Sequence, residues 1–333
     1  MLDELIKLGK NASSMLGTCK YVRVLSHNDT DGVAAAGVMC NALHRIGIIF
    51  HCSILPQLDQ SVAERVNREQ SDAVVFCDMG SGQPDVISKI RDRVLVIDHH
   101  IPYGKLECLH VNPHLSGING ANEISASGTA YLVAREMGDN RDLAGLALTG
   151  AVGDKQEMAG ANGAILEDAV KSGAVTVSKG LRIGDGNIEE LLEYTLDPYL
   201  DVTGDRDGIR GFLSDINVRG DVNGLEEDAR RRLASAMVLR LAKRAAPEAL
   251  NLVVGDVYRL NREVIPNIFD FSNVLNTCGK LEKPGLGIAL CLRDRAPLDE
   301  ALRLMKDEQR ALVKLIRDAE PKVRTCANLR YLM

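Results

Sequence analysis

The chain has 333 residues, 45% hydrophobic and 26% charged, with a formal net charge of −6. That length allows two domains with real cores. The mild negative charge excludes a surface that attracts nucleic acid everywhere, and leaves a local basic groove open. No stretch is apolar and long enough to span a bilayer. The charged, amphipathic start, MLDELIKLGKNASSMLG, lacks a signal-peptide core. Eight cysteines are scattered, none as CxxC, and several lie in apolar runs. Free thiols in a reducing cytoplasm are the reading, with no membrane association.

In chain order, YVRVLSH (21–27) reads as a strand and GVAAAGVMCNALHRIG (32–47) as a helix stopped by Gly47. IIFHCSIL (48–55) is a second strand, and 59–69 a polar helix. AVVFCD (73–78) is a third strand, 84–91 a helix, RVLVID (93–98) a fourth strand and CLHVN (108–112) a fifth. Helices are expected over 127–138 and 142–153. Strands alternating with helices predict an α/β fold built on a doubly wound parallel sheet. From about residue 160 the pattern turns helical, with a long arginine-rich helix over 226–246. LNLVVGDVYRL (250–260) and GLGIALCL (285–292) read as strands, and 297–320 as a long amphipathic helix. The expected organisation is a sheet domain over 1–160, a helical connection over 161–246, and a smaller, incomplete α/β domain over 247–333.

The strands of the first half end in polar ligand types. SHNDTDG supplies His27, Asp29 and Asp31, FCDMGSG supplies Asp78, and IDHH supplies Asp98, His99 and His100. Asp154 follows an apolar helix in LALTGAVGDKQ. Singly, such residues are commonly turn formers, helix caps or hydrogen-bonded histidines. Open α/β sheets bind ligands outside the carboxyl ends of their strands, so four clusters at that edge converge on one crevice. Carboxylates with imidazoles suit Mn²⁺ or Mg²⁺. A pair of ions about 3.5–4 Å apart requires a bridging carboxylate, and Asp78 is the natural candidate.

The stretches HNDTDG, CDMGS, DHHIPYG and AVGDKQ, in this order over residues 20–160, resemble the DHH phosphoesterase superfamily. The chain looks most like its archaeal RecJ-like members, in part through FSNVLNTCGKLEKPGLGIALCL (271–292) followed by a long helix. The resemblance implies one metal on His27, Asp29 and Asp78, and another on Asp31, Asp78, His99 and Asp154. It gives His100 to the scissile phosphate and makes Asp98 a support for the histidines. It implies a manganese-dependent exonuclease acting on single-stranded DNA or RNA in replication or repair, with the GINS complex as a partner. The glycine-rich GGGH-type substrate motif of family members with a DHHA1 domain is absent, which fits an incomplete second domain. Arg230, Arg231, Arg232, Lys243 and Arg244 are the candidate nucleic-acid contacts, weighed against a plain solvated helix face. The rival readings are a phosphodiesterase of short oligonucleotides or cyclic dinucleotides, and a Cdc45-like scaffold that binds GINS.

Overall fold

The structure is a computed structural model that describes residues 1–243, 245–326 and 329–332. It contains two compact units. One comprises Met1–Thr176 with Tyr258–Ala301, and the other Val177–Val257 with Leu302–Met333. The stretch expected as one domain over 247–333 is thus shared between the two.

The first unit opens with helix α1 (Leu2–Leu16). It continues through β1 (Tyr21–His27), α2 (Thr30–Arg45), β2 (Ile49–Leu55), α3 (Gln60–Val66), β3 (Ala73–Cys77), α4 (Pro84–Ile87), β4 (Arg93–Ile97) and β5 (Leu109–Val111). The five strands form one sheet, ordered β2-β1-β3-β4-β5, and every adjacent pair is parallel. This is the expected doubly wound α/β sheet, with its topological switch between β1 and β3. Every residue of β3 and the last four of β4 are buried. They are an unbroken apolar run rather than an alternating one, as a parallel sheet covered on both faces requires. Leu25, Val74, Phe76, Val94 and Val96 form one core with Leu58, Val62 and Val66 around α3 and Ile87 of α4.

Helices α5 (Ala126–Met137), α6 (Ala144–Gly153) and α7 (Gly160–Lys171) follow, and α2 packs against both α5 and α6. All residues of α2 from Thr30 to Leu43 are buried, so it lacks a polar stripe and is a central helix. The second unit carries most of β6 (Val175–Leu181), then α8 (Ile188–Tyr194), α9 (Arg206–Asp215) and α10 (Glu227–Leu241). β6 pairs with β7 (Val254–Leu260), which starts later than the expected strand because a 3₁₀ turn occupies Pro247–Leu252.

The chain returns to the first unit with α11 (Ile268–Lys280) and α12 (Pro284–Cys291). The strand expected over 285–292 is therefore a helix. A short apolar run does not reveal its period. Here Pro284 opens a helical turn, and Gly287, Leu290 and Cys291 are buried at helical spacing. Cys291 packs over Gly37 of α2, where an added Cβ would lie 2.5 Å from the cysteine Cβ. Helix α13 (Leu298–Ala319) and the short antiparallel pair β8 (Arg324–Cys326) and β9 (Leu329–Tyr331) complete the chain. No helix among the described residues is long and apolar enough to cross a membrane.

Candidate metal centre

The sheet register builds the site. Ser26, Cys77, Ile97 and Val111 occupy one row across β1, β3, β4 and β5. The residues that follow, His27, Asp78, Asp98 and Asn112, therefore line the carboxyl edge. Asp29 caps α2 by accepting from the Gly32 amide at 3.0 Å. Asp31, two residues further on in the first turn of α2, is fully buried. Its carboxylate accepts from the amides of Ala126 (2.6 Å) and Ser127 (2.9 Å) at the amino end of α5. Those donors suit a carboxylate, because the first amides of a helix have no partner of their own. Gly150 of α6 packs against the same group, and a Cβ there would lie 2.2 Å from Asp31 Oδ1.

Three overlapping groups of ligand atoms result, the atoms of each lying within 4.8 Å of one another: His27, Asp29 and Asp78; Asp78, His99 and His100; Asp31, His99 and Asp154. His27 Nδ1 lies 2.6 Å from Asp29 Oδ2 and 3.5 Å from Asp78 Oδ2. His99 Nε2 lies 3.4 Å from Asp78 Oδ1, 3.3 Å from Asp154 Oδ2 and 3.9 Å from Asp31 Oδ2. Asp78 adopts a left-handed φ of 57° after β3. Its Oδ1 is buried and has no hydrogen-bond partner among the described residues. A buried, unpartnered carboxylate oxygen costs free energy unless something positive meets it.

The titration behaviour reflects this crowding of acids. Burial, with the negative charges of Asp31 and Asp29 nearby, raises Asp78 to about 6. Burial and the charge of Asp31 raise Asp154 to about 9. The Asp29 hydrogen bond leads in raising His27 to about 10. Burial alone would lower His99, but Asp78 and Asp31 outweigh it and raise the ring to about 11. The protein's own groups thus hold protons where a divalent cation would satisfy the same oxygens. The donors, carboxylate oxygen and imidazole nitrogen, fit a hard or borderline divalent ion.

Asp98 has a different task. It is buried, which would raise it, but hydrogen bonds hold it at about 2. Its Oδ1 accepts from the His99 and His100 amides and from His100 Nδ1 at 2.8 Å, while Oδ2 accepts from the Ser81 amide. His100 is 58% exposed, with its Nδ1 engaged by Asp98. The His99 ring is oriented by the Gly120 carbonyl, 2.7 Å from Nδ1. A carbonyl only accepts, so Nδ1 carries a proton, and Nε2 is the nitrogen turned toward the acids, the one a cation would meet in place of its proton.

Sequence reasoning missed the residues behind the ligands. Gln156 donates to the same Gly120 carbonyl (2.8 Å) and accepts from Asn162 (2.8 Å). Asn112 donates to the His100 carbonyl and to Ser81 Oγ, which also contacts His110. Only Asn112, at the end of an expected strand, and Gln156, beside Asp154, stood where a signal was available. Thr30 Oγ1 donates to the Ser272 carbonyl, and an added Cβ on Gly279 would lie 2.1 Å from the Asn28 carbonyl. Lys280 reaches Asn28 Oδ1 at 3.5 Å and sets a positive charge at the rim of the acidic loop.

The expected nucleic-acid contacts belong to the second unit. Arg230 and Arg231 of α10 both pair with Glu227, and Arg232 pairs with Asp228. These are neighbours one helical turn apart, the pattern of a solvated helix face. Lys243 is exposed just beyond α10, and Arg244 lies outside the described residues.

Residues 21–151 match the family model described as the DHH family, N-terminal domain. With the signature motifs at the carboxyl edge of this sheet, residues 21–151 are a DHH-family N-terminal domain. It is 31% identical over 296 residues to an uncharacterized protein of Methanocaldococcus jannaschii, a match that covers 85% of this chain and 66% of that protein. The fold is similar to that of RecJ from Thermus thermophilus, solved in complex with Mn²⁺, at 18% identity and a TM-score of 0.53 over 95% of this chain and 38% of RecJ. It is also similar to Cdc45 from Entamoeba histolytica, at 13% identity and a TM-score of 0.67 over 94% of this chain and 72% of the other. This chain therefore spans just under two thirds of the curated relative and well under half of that RecJ.

Proposed function

We propose that this chain is a divalent-metal phosphodiesterase, a RecJ-like exonuclease that hydrolyses single-stranded DNA or RNA. The observation that carries this reading is the buried, unpartnered Oδ1 of Asp78 at the meeting point of the ligand groups. His27, Asp29 and Asp78 would hold one ion, and Asp31, Asp78, His99 and Asp154 the other, with Mn²⁺ preferred and Mg²⁺ accepted. Such a pair neutralises charge on phosphoryl oxygens and lowers the pKa of bound water.

The chain's own residues do the rest. Asp31 and Asp98 are held in place by backbone amides that donate to their carboxylates. Asp98 accepts a hydrogen bond from His100 Nδ1–H, which leaves Nε2–H of the protonated ring to donate to a phosphate oxygen from the solvent side. Lys280, held by Asn28, adds a cation for a neighbouring phosphate. Metal titration by calorimetry, with hydrolysis of an end-labelled single strand, tests the proposal. Manganese-stimulated release of mononucleotides is expected, and no metal binding would overturn it.

The pairing of Arg230, Arg231 and Arg232 with acids on their own helix favours a second reading, in which short oligonucleotides or cyclic dinucleotides are the substrates. Relative turnover of a long strand and a dinucleotide separates the two. A Cdc45-like role with GINS rests on the family resemblance, and co-purification with GINS would test it. The complete set of ligand side chains argues that any such role accompanies catalysis.

A further inference from the structure

Twelve phenylalanines and tyrosines occur in the chain, and eleven are buried or half-buried. The exception is Tyr103, 75% exposed. It stands three residues after His100, and between them lies Ile101, 76% exposed. Isolated exposed apolar residues need no explanation. These two differ because they share one short, braced loop at the edge of the metal centre. The Tyr103 amide donates to the Ser81 carbonyl at 2.8 Å, and Ser81 in turn donates its amide to Asp98. The His100 carbonyl is tied to Asn112. Pro102 stiffens the middle of the loop, and Gly104, at φ 82°, turns the chain away after it. The backbone is thus tied at His100 and again at Tyr103, on either side of Ile101 and Pro102, while the two large side chains face water.

We infer that Tyr103, with Ile101 beside it, is a stacking platform for a nucleobase of the substrate, and so a specificity-determining residue that restricts the site to nucleotide-containing phosphodiesters. This deepens the phosphodiesterase reading and rests on it for turnover. A planar aromatic ring fits the occupant because a base has a π-face whatever its identity, so stacking grips without reading sequence. Its place beside His100 fits because a base lies only a sugar away from its phosphate. Removing one stacking partner lowers affinity about tenfold, within a range of roughly five- to a hundredfold.

The test compares a trinucleotide with the same trinucleotide carrying abasic sugars, using the full chain and its Tyr103→Ala, Tyr103→Phe and Ile101→Ala variants. In manganese, the wild type should show a KM about tenfold lower for the natural substrate than for the abasic one, with similar kcat. Tyr103→Ala should raise the natural KM to the abasic level and leave the abasic KM unchanged, Ile101→Ala should do so in part, and Tyr103→Phe should keep the difference. Anisotropy of both labelled trinucleotides in EDTA reads the same preference without catalysis. Base-dependent binding lost in Tyr103→Ala without any turnover would support the platform and sink the phosphodiesterase reading. Equal effects of Tyr103→Ala on both ligands, or no effect on either, would overturn the platform.

Discussion

Asp78 is the residue on which the centre turns, since both expected ion sites include it. Asp78→Ala should abolish binding of both ions in calorimetry, whereas retention of one would remove its bridging role. His100 is predicted to separate binding from chemistry. It is exposed, and its Nδ1 is spent on Asp98, so His100→Ala should bind metal within a fewfold of wild type while hydrolysis falls about 10²-fold or more. Metal loss matching that of His99→Ala would show the two roles to be wrongly divided. The ligand types were readable because polar residues stand directly after apolar runs, His27, Asp78, Asp98 and His99 at strand ends and Asp154 after a helix. Gly120, Ser81 and Asn162 were not, since a carbonyl, a backbone amide and a neutral amide leave no mark on a sequence and act only once the fold has brought them together.

At the scale of elements, β3 and β4 were legible because a buried parallel strand is a continuous apolar run with sharp ends. Pro284–Cys291 was not, because eight apolar residues satisfy a strand and a buried helix equally, and contact with Gly37 decides. The end of α12 is clamped by charge. Arg293 pairs with Asp142 at 2.6 Å and with buried Glu263 at 3.0 Å, and Arg45 from the end of α2 also binds Asp142, at 2.7 Å. Burial alone would raise Asp142, but the two guanidinium groups hold it at about 2. A folded-state pKa below the unfolded value gives stability that is present above about pH 4 and is lost as the pH falls toward 2. The contribution is on the order of 2 kcal/mol. Asp142→Asn should lower the urea midpoint at pH 7 and flatten its decline between pH 4 and 2. An unchanged acid profile would show that the clamp contributes nothing.

For the whole molecule, two ions are enough for chemistry on a phosphodiester but not for holding many nucleotides. The net charge is −6, and the α10 arginines, engaged by acids, offer few free cations to phosphates. Binding of a long single strand should therefore be weak at physiological salt, and turnover should favour short substrates. Anisotropy across a salt series should give a shallow slope, because each phosphate neutralised on a single strand contributes only about −0.7. A steep slope with tight binding at physiological salt would mean that the second unit already forms a complete groove.

The loop that carries Asp29 and Asp31 is seated by Ser272 and Gly279, some 240 residues further along the chain. The ribosome makes the whole sheet, with every ligand, well before it makes that seat. At about 5–20 residues per second, α11 trails Thr176 by roughly 5–20 s. During that interval the nascent chain carries a crowded acidic loop without its brace. Completion of the metal centre is then a late event in the life of the polypeptide, and a chain cut after residue 176 should retain its strands yet bind metal poorly. The domain drawn by sequence similarity and the piece of protein able to mature on its own are, in this molecule, different objects.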